Sequence, residues 1–151
     1  MEYLNTHPIK TSDLGFHKNL FGGKILAWVD SAASGLAMQL CDTPMVVTRG
    51  LDQCVFHKPG KEGQLMKIYG RPEKIGNTSV TLYIEARSHS VYTGNQSLLL
   101  STYITFVRID EEGNSIPAAV LLDEKKQVIQ LYEPGSTDLN DLFEKIKKNI
   151  N

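Results

Sequence analysis

Three groupings in this chain have the residue types and spacing for chemistry: the glycine pair Gly22–Gly23, Asp30 seven positions beyond Gly23, and the polar residues His17 and Asn19 just upstream. Adjacent glycines at the start of a helix leave backbone N–H groups open to close approach. With the helix dipole, such groups polarise a carbonyl and hold the negative oxygen that forms when it is attacked. The same pair also serves as a tight loop-to-helix junction. Asp30 interrupts an otherwise apolar run, and a carboxylate among apolar neighbours loses solvation unless something compensates. It suits a nucleophile or a general base for water. It equally suits a cap on a neighbouring backbone N–H, or an ion pair with Arg49 or Arg71. Seven residues are almost two turns, so Gly23 and Asp30 share a helix face about 10 Å apart along the axis. They cannot touch one carbonyl within one helix. A two-fold dimer that sets Asp30 of one copy opposite the Gly23 turn of the other removes the difficulty. His17 and Asn19 are donors placed to meet a substrate or position water, or simply polar loop residues. Thr48, Ser79 and Thr102 offer hydroxyls in strands, where such residues are also ordinary sheet formers.

Other chemistries lack their signatures. His7, His57 and His89 share no metal-ligand spacing with acids or cysteines, and Cys41 and Cys54 carry no redox or metal motif. Ser31 and Ser34 lack the G-x-S-x-G setting of a nucleophilic serine. Sixteen Lys and Arg against 17 Asp and Glu give a net charge of −1, with no basic run to track nucleic acid. No apolar segment approaches the ~20 residues of a membrane span, and the first ten residues contain no signal-peptide core, so a cytoplasmic protein is expected.

The elements that must position these groups follow from periodicity. Leu26, Val29, Ala33, Leu36 and Leu40 recur at helical spacing, with Ile25, Trp28, Ala32 and Ala37 widening the apolar surface. The spacing predicts one long, largely covered helix from the glycine pair to about Leu40, stopped by Asp42–Thr43–Pro44. Strand-like stretches follow at 45–56, 64–71, 79–87, 97–109 and 116–122, after a short extended piece near the N-terminus. Val80, Leu82, Ile84 and Ala86 alternate with Thr81, Tyr83, Glu85 and Arg87, the pattern of an antiparallel sheet with one covered face. The predicted class is α+β: a curved antiparallel sheet with the helix on its concave face, completed by a second copy. Residues 1–122 form this domain. Residues 123–151 form an extension whose Leu139, Leu142, Phe143 and Ile146 predict a short helix packing on the domain or on a neighbouring subunit.

The segment Asn19–Leu20–Phe21–Gly22–Gly23–Lys24–Ile25–Leu26–Ala27–Trp28–Val29–Asp30 resembles the signature of hotdog-fold acyl-CoA thioesterases, of the YciA type and the cytosolic acyl-CoA hydrolases. Phe56–His57–Lys58–Pro59, Gly76–Asn77–Thr78–Ser79–Val80 and Thr102–Tyr103–Ile104–Thr105–Phe106–Val107 extend it in the same order. The resemblance implies a "sausage" helix wrapped by a sheet. It implies a homodimer with shared active sites, possible assembly as a trimer of dimers, and acyl-CoA as substrate. No separate cofactor is needed, since coenzyme A is part of the substrate. Carried over, Asp30 is the catalytic acid and Gly23 the glycine whose N–H faces the thioester oxygen. Gly22, Asn19, Thr48 and Ser79 are placed at the substrate, and Trp28, Phe56 and Phe106 are expected to close the acyl tunnel. Gly15 stands where relatives commonly have Asn, so His17 is the first substitute for that amide. A hydratase or dehydratase of acyl thioesters, or a non-catalytic acyl-CoA binder, are the alternative readings.

Overall fold

A computed structural model describes residues 1–116. Its elements run β1 (Glu2–Pro8), a 3-10 turn (Thr11–Asp13), α1 (Gly22–Cys41), β2 (Val46–Phe56), β3 (Leu65–Ile75), β4 (Ser79–His89) and β5 (Gln96–Arg108). The five strands form one antiparallel sheet in the order β1-β3-β4-β5-β2.

α1 begins where expected, because the glycine pair offers no side chain to obstruct the first turn. It ends at Asp42, whose left-handed conformation (φ 53°) closes the helix through a bond from its N–H to the Met38 carbonyl. The helix touches all five strands. Ile25, Val29, Ala33, Leu36, Ala37 and Leu40 pack on Met66, Ile68, Leu82, Ile84, Leu100, Ile104 and Phe106 of the sheet. Leu26, Trp28 and Ala32 flank this core half-buried. The alternation read in β4 is observed: Val80, Leu82, Ile84 and Ala86 are buried, and the intervening residues face outward. On that outer face Arg71 lies over the Tyr83 ring and Arg87 over the Tyr69 ring, which covers aromatic surface with charge that stays wet.

The helix and antiparallel sheet of the hotdog arrangement are therefore present, but the expectation of a wrapped helix needs correcting. The sheet is open, with β1 and β2 as edges, and does not close around α1. β3 also runs four residues past the predicted Arg71, through Pro72. β1 pairs no further than Gly70, and a bulge between Pro72 and Lys74 relieves the ladder of the missing N–H. The expected strand at 116–122 (but for Ile116) and the helix of the 123–151 extension lie outside the described residues.

The β2 edge is unusual. All of it from Val47 to Phe56 except Gly50 is exposed, including Val47, Leu51, Val55 and Phe56 at 40–52% of their surface. Its outward side pairs with no strand among the described residues, and an edge that carries exposed apolar side chains is a template for another strand.

Candidate active site at the helix amino terminus

The loop before α1 is built to deliver the glycine pair. Asp13 is buried and accepts the Lys10 N–H (2.9 Å), while its carbonyl accepts the Phe21 N–H (3.0 Å). The Leu20 N–H donates to the Gly60 carbonyl (2.8 Å), and Lys61 Nζ donates to Asn19 Oδ1, so the loop after β2 is stapled to the loop before α1. Phe21 is the N-cap residue, and no side chain caps the helix. Its carbonyl takes the N–H groups of Lys24 (2.9 Å) and Ile25 (3.2 Å). Among the described residues, the N–H groups of Gly22 and Gly23 have no acceptor. They remain open donors at the positive end of a 20-residue helix.

Aromatic rings crowd the glycines. A Cβ on Gly23 would stand 2.7 Å from the Phe21 ring, and one on Gly22 would stand 3.2 Å from the Phe56 ring. Both rings remain half exposed, Phe21 at 59% and Phe56 at 52%. Two aromatic rings thus stand beside the glycine pair.

Asp30 is half-buried, two turns into α1. Its Oδ1 accepts the Thr48 hydroxyl at 2.7 Å. Of the alternatives read from the sequence, neither ion pair forms: Arg71 pairs with Glu73 (3.4 Å), and Arg49 lines an open crevice of about 420 Å³ with Val47, Thr78 and Val107. Oδ2 of Asp30 has no hydrogen-bond partner among the described residues, leaving one oxygen available for a proton or a carbonyl carbon. Thr48 is brought to this position by β2, where it stands opposite Phe106 of β5.

The remaining candidates divide. Asn19 is committed to the loop: its carbonyl accepts the Gly15 N–H (2.8 Å) and its side chain accepts from Lys61. His17 is exposed at the tip of the turn between Gly15 and Lys18, and Lys18 takes a left-handed φ of 62° there. Ser79 opens β4 at the β3–β4 hairpin, where its carbonyl accepts the Gly76 N–H (2.8 Å). Its neighbour Val80 turns into the core, so Ser79 takes the opposite face of the sheet. The structure therefore pairs Asp30 with Thr48 and groups Gly22, Gly23, Phe21 and Phe56, leaving Ser79 apart from both.

Of the three expected tunnel residues, Phe106 is fully buried in the core and Trp28 stacks on His7 of β1 (4.5 Å, 3° between planes). Phe56 alone of the three stands against the glycine pair. The Asp30–Thr48 bond and the Phe56–Gly22 contact were not readable as pairs. Each joins the helix to β2 across a sequence gap that no local periodicity encodes.

The sequence matches the model of the thioesterase superfamily over residues 17–94. It is 26% identical to an uncharacterized acyl-CoA thioester hydrolase of Bacillus subtilis, over 88% of this chain and 80% of that protein. It is 27% identical to the human cytosolic acyl coenzyme A thioester hydrolase over 85% of this chain, which spans about a third (34%) of the human protein. Among solved structures, the hexameric hotdog-fold thioesterase of Campylobacter jejuni superposes with a TM-score of 0.74 at 28% identity, covering 86% of this chain and 97% of that one.

Proposed function

Because the chain belongs to the thioesterase superfamily, we propose that it hydrolyses acyl-CoA thioesters to free acid and coenzyme A. The observation that carries this reading is the state of Asp30. It is a half-buried carboxylate oriented by the hydroxyl of Thr48, with no ion pair among the described residues, on the helix whose amino-terminal amides are open.

The thioester carbonyl accepts a hydrogen bond from the Gly23 N–H, and the helix dipole favours the charge that grows on its oxygen. Asp30 takes a proton from water, whose oxygen bonds to the carbonyl carbon, or attacks that carbon directly to give a mixed anhydride that water then opens. The C–S bond breaks, and coenzyme A leaves as a thiolate that is protonated by the acid or by solvent. Asp30 and Gly23 are about 10 Å apart along one helix, so the two groups acting on one carbonyl come from two copies. The bare apolar edge of β2 supports antiparallel pairing of two such edges, which completes the covering that one open sheet leaves unfinished. Assembly of such dimers into a hexamer, as in the Campylobacter relative, and a cytosolic location, as in the human one, fit this reading.

A thiol-release assay over short, medium and long acyl-CoAs tests it. Turnover is expected in the wild-type chain and is expected to fall by orders of magnitude in Asp30→Asn, with assembly and ligand binding retained. Near wild-type turnover in that variant removes Asp30 from the mechanism. Loss of enoyl absorbance from crotonyl-CoA without free thiol moves the assignment to a hydratase.

A further inference from the structure

The aromatic rings against the glycine pair carry an inference about substrate shape, which rests on the hydrolase reading. Phe56 comes from β2 and Gly22 from α1, so their contact is set by two rigid elements. The residue after Phe56 is pinned to the sheet by its N–H, which donates to the Leu99 carbonyl at 2.7 Å. The position of a Cβ on Gly22 is 3.2 Å from Cε1 and 3.4 Å from Cζ of Phe56, so the edge of the ring fills the space a side chain at Gly22 would take. Phe21 stands in the same relation to Gly23, with Cε1 at 2.7 Å from the corresponding position. Both rings keep more than half of their surface open.

A carbonyl that reaches the open amides of Gly22 and Gly23 carries sulfur on one side and the α-carbon on the other. Both atoms must clear the rings. A straight chain presents a narrow CH₂ at that point, whereas a branched chain presents one or two further methyl groups that compete with the neighbouring ring for space. We propose that Phe56 is a specificity-determining residue that restricts the enzyme to acyl groups unbranched at the α-carbon, with Phe21 standing beside the neighbouring glycine. The ring takes no part in the Thr48–Asp30 hydrogen bond, so its removal widens the approach without removing that bond.

The test compares butyryl-CoA with isobutyryl-CoA and pivaloyl-CoA in a thiol-release assay, using wild type, Phe56→Ala and Phe56→Leu. Wild type is expected to prefer butyryl-CoA strongly. In Phe56→Ala the ratio of kcat/KM for isobutyryl-CoA to that for butyryl-CoA is expected to rise by roughly tenfold or more, the usual discrimination for one methyl group in an apolar site. Phe56→Leu is expected to fall between the two. Because Phe56 is half exposed, the variants are expected to fold, which molecular mass and thermal melting check. An unchanged ratio overturns the proposal. So does an equal loss on all substrates with a drop in molecular mass, which assigns Phe56 to contact between copies. Absence of thiol release from every straight-chain CoA with wild type overturns the hydrolase reading itself, and the proposal with it.

Discussion

Thr48→Val removes one hydrogen atom's worth of chemistry from the candidate site and almost nothing else. Valine keeps the β-branched shape that suits a strand, so β2 and its pairing with β5 are retained. What is lost is the 2.7 Å bond from the hydroxyl to Asp30 Oδ1. A hydrogen bond to a charged acceptor contributes about 1.5–3 kcal/mol, and the exposure of Thr48 puts this one at the low end. If the bond holds the carboxylate in its working rotamer, the loss appears in the barrier, and about 1.4 kcal/mol is about a tenfold fall in kcat. KM is expected to change little, because Thr48 orients the acid rather than gripping substrate. Thr48→Ser is expected to restore most of the rate, since the serine hydroxyl reaches the same oxygen. Initial rates of thiol release under saturating acyl-CoA give kcat directly. A Thr48→Val enzyme within about twofold of wild type, or a serine variant as slow as the valine one, would refute a positioning role for this bond.

Two further outcomes follow from the loop and from the far edge of the sheet. Gly15 has no left-handed φ, and a Cβ there meets Phe21 Cδ2 at an ordinary 3.5 Å, so Gly15→Asn is expected to fold normally and to raise kcat by supplying an amide near the helix start. Equal or lower activity in a well-folded variant counts against a use for that amide. His7 stacks on Trp28 with its Nε2 buried and unpartnered, and burial pulls its pKa below 6.5 despite the opposing pull of Asp13. The unfolded chain therefore binds a proton more readily than the folded one, and stability is lost as pH falls through 6.5 toward the lower folded value. Melting temperatures at pH 7.5 and 5.5 are expected to diverge less in His7→Phe, which keeps the stacked ring and has no proton to bind. An undiminished divergence places the pH response elsewhere.

Much of the architecture was legible because its signals are local. The glycine pair and Asp42–Thr43–Pro44 bracket α1, and the strict alternation from Val80 to Arg87 announces a strand with one dry face. Pro72 misled because proline ordinarily ends a central strand. Here β1 has already stopped and a bulge absorbs the fault. The candidate site was half legible. Asp30 stood out as a carboxylate among apolar residues, and Gly22–Gly23 as a bare helix start. Thr48 and Phe56 were placed at the site only through the resemblance and not as partners of these groups, because they reach the helix only through the placement of β2 at the sheet edge. Ser79, expected at the substrate, lies by strand parity on the face away from the core, a placement that a hydroxyl beside a turn does not reveal in sequence.

The bare flank of β2 also shapes the life of a newly made chain. Until it meets another, each copy carries a strand paired to β5 on one side only, with Val47, Leu51, Val55 and Phe56 exposed along it, a surface prone to stray association. Pairing hides that surface and, on the reading above, brings the acid of one copy to the amides of the other. On that reading a lone chain is idle, and the working fraction rises with the concentration of the chain.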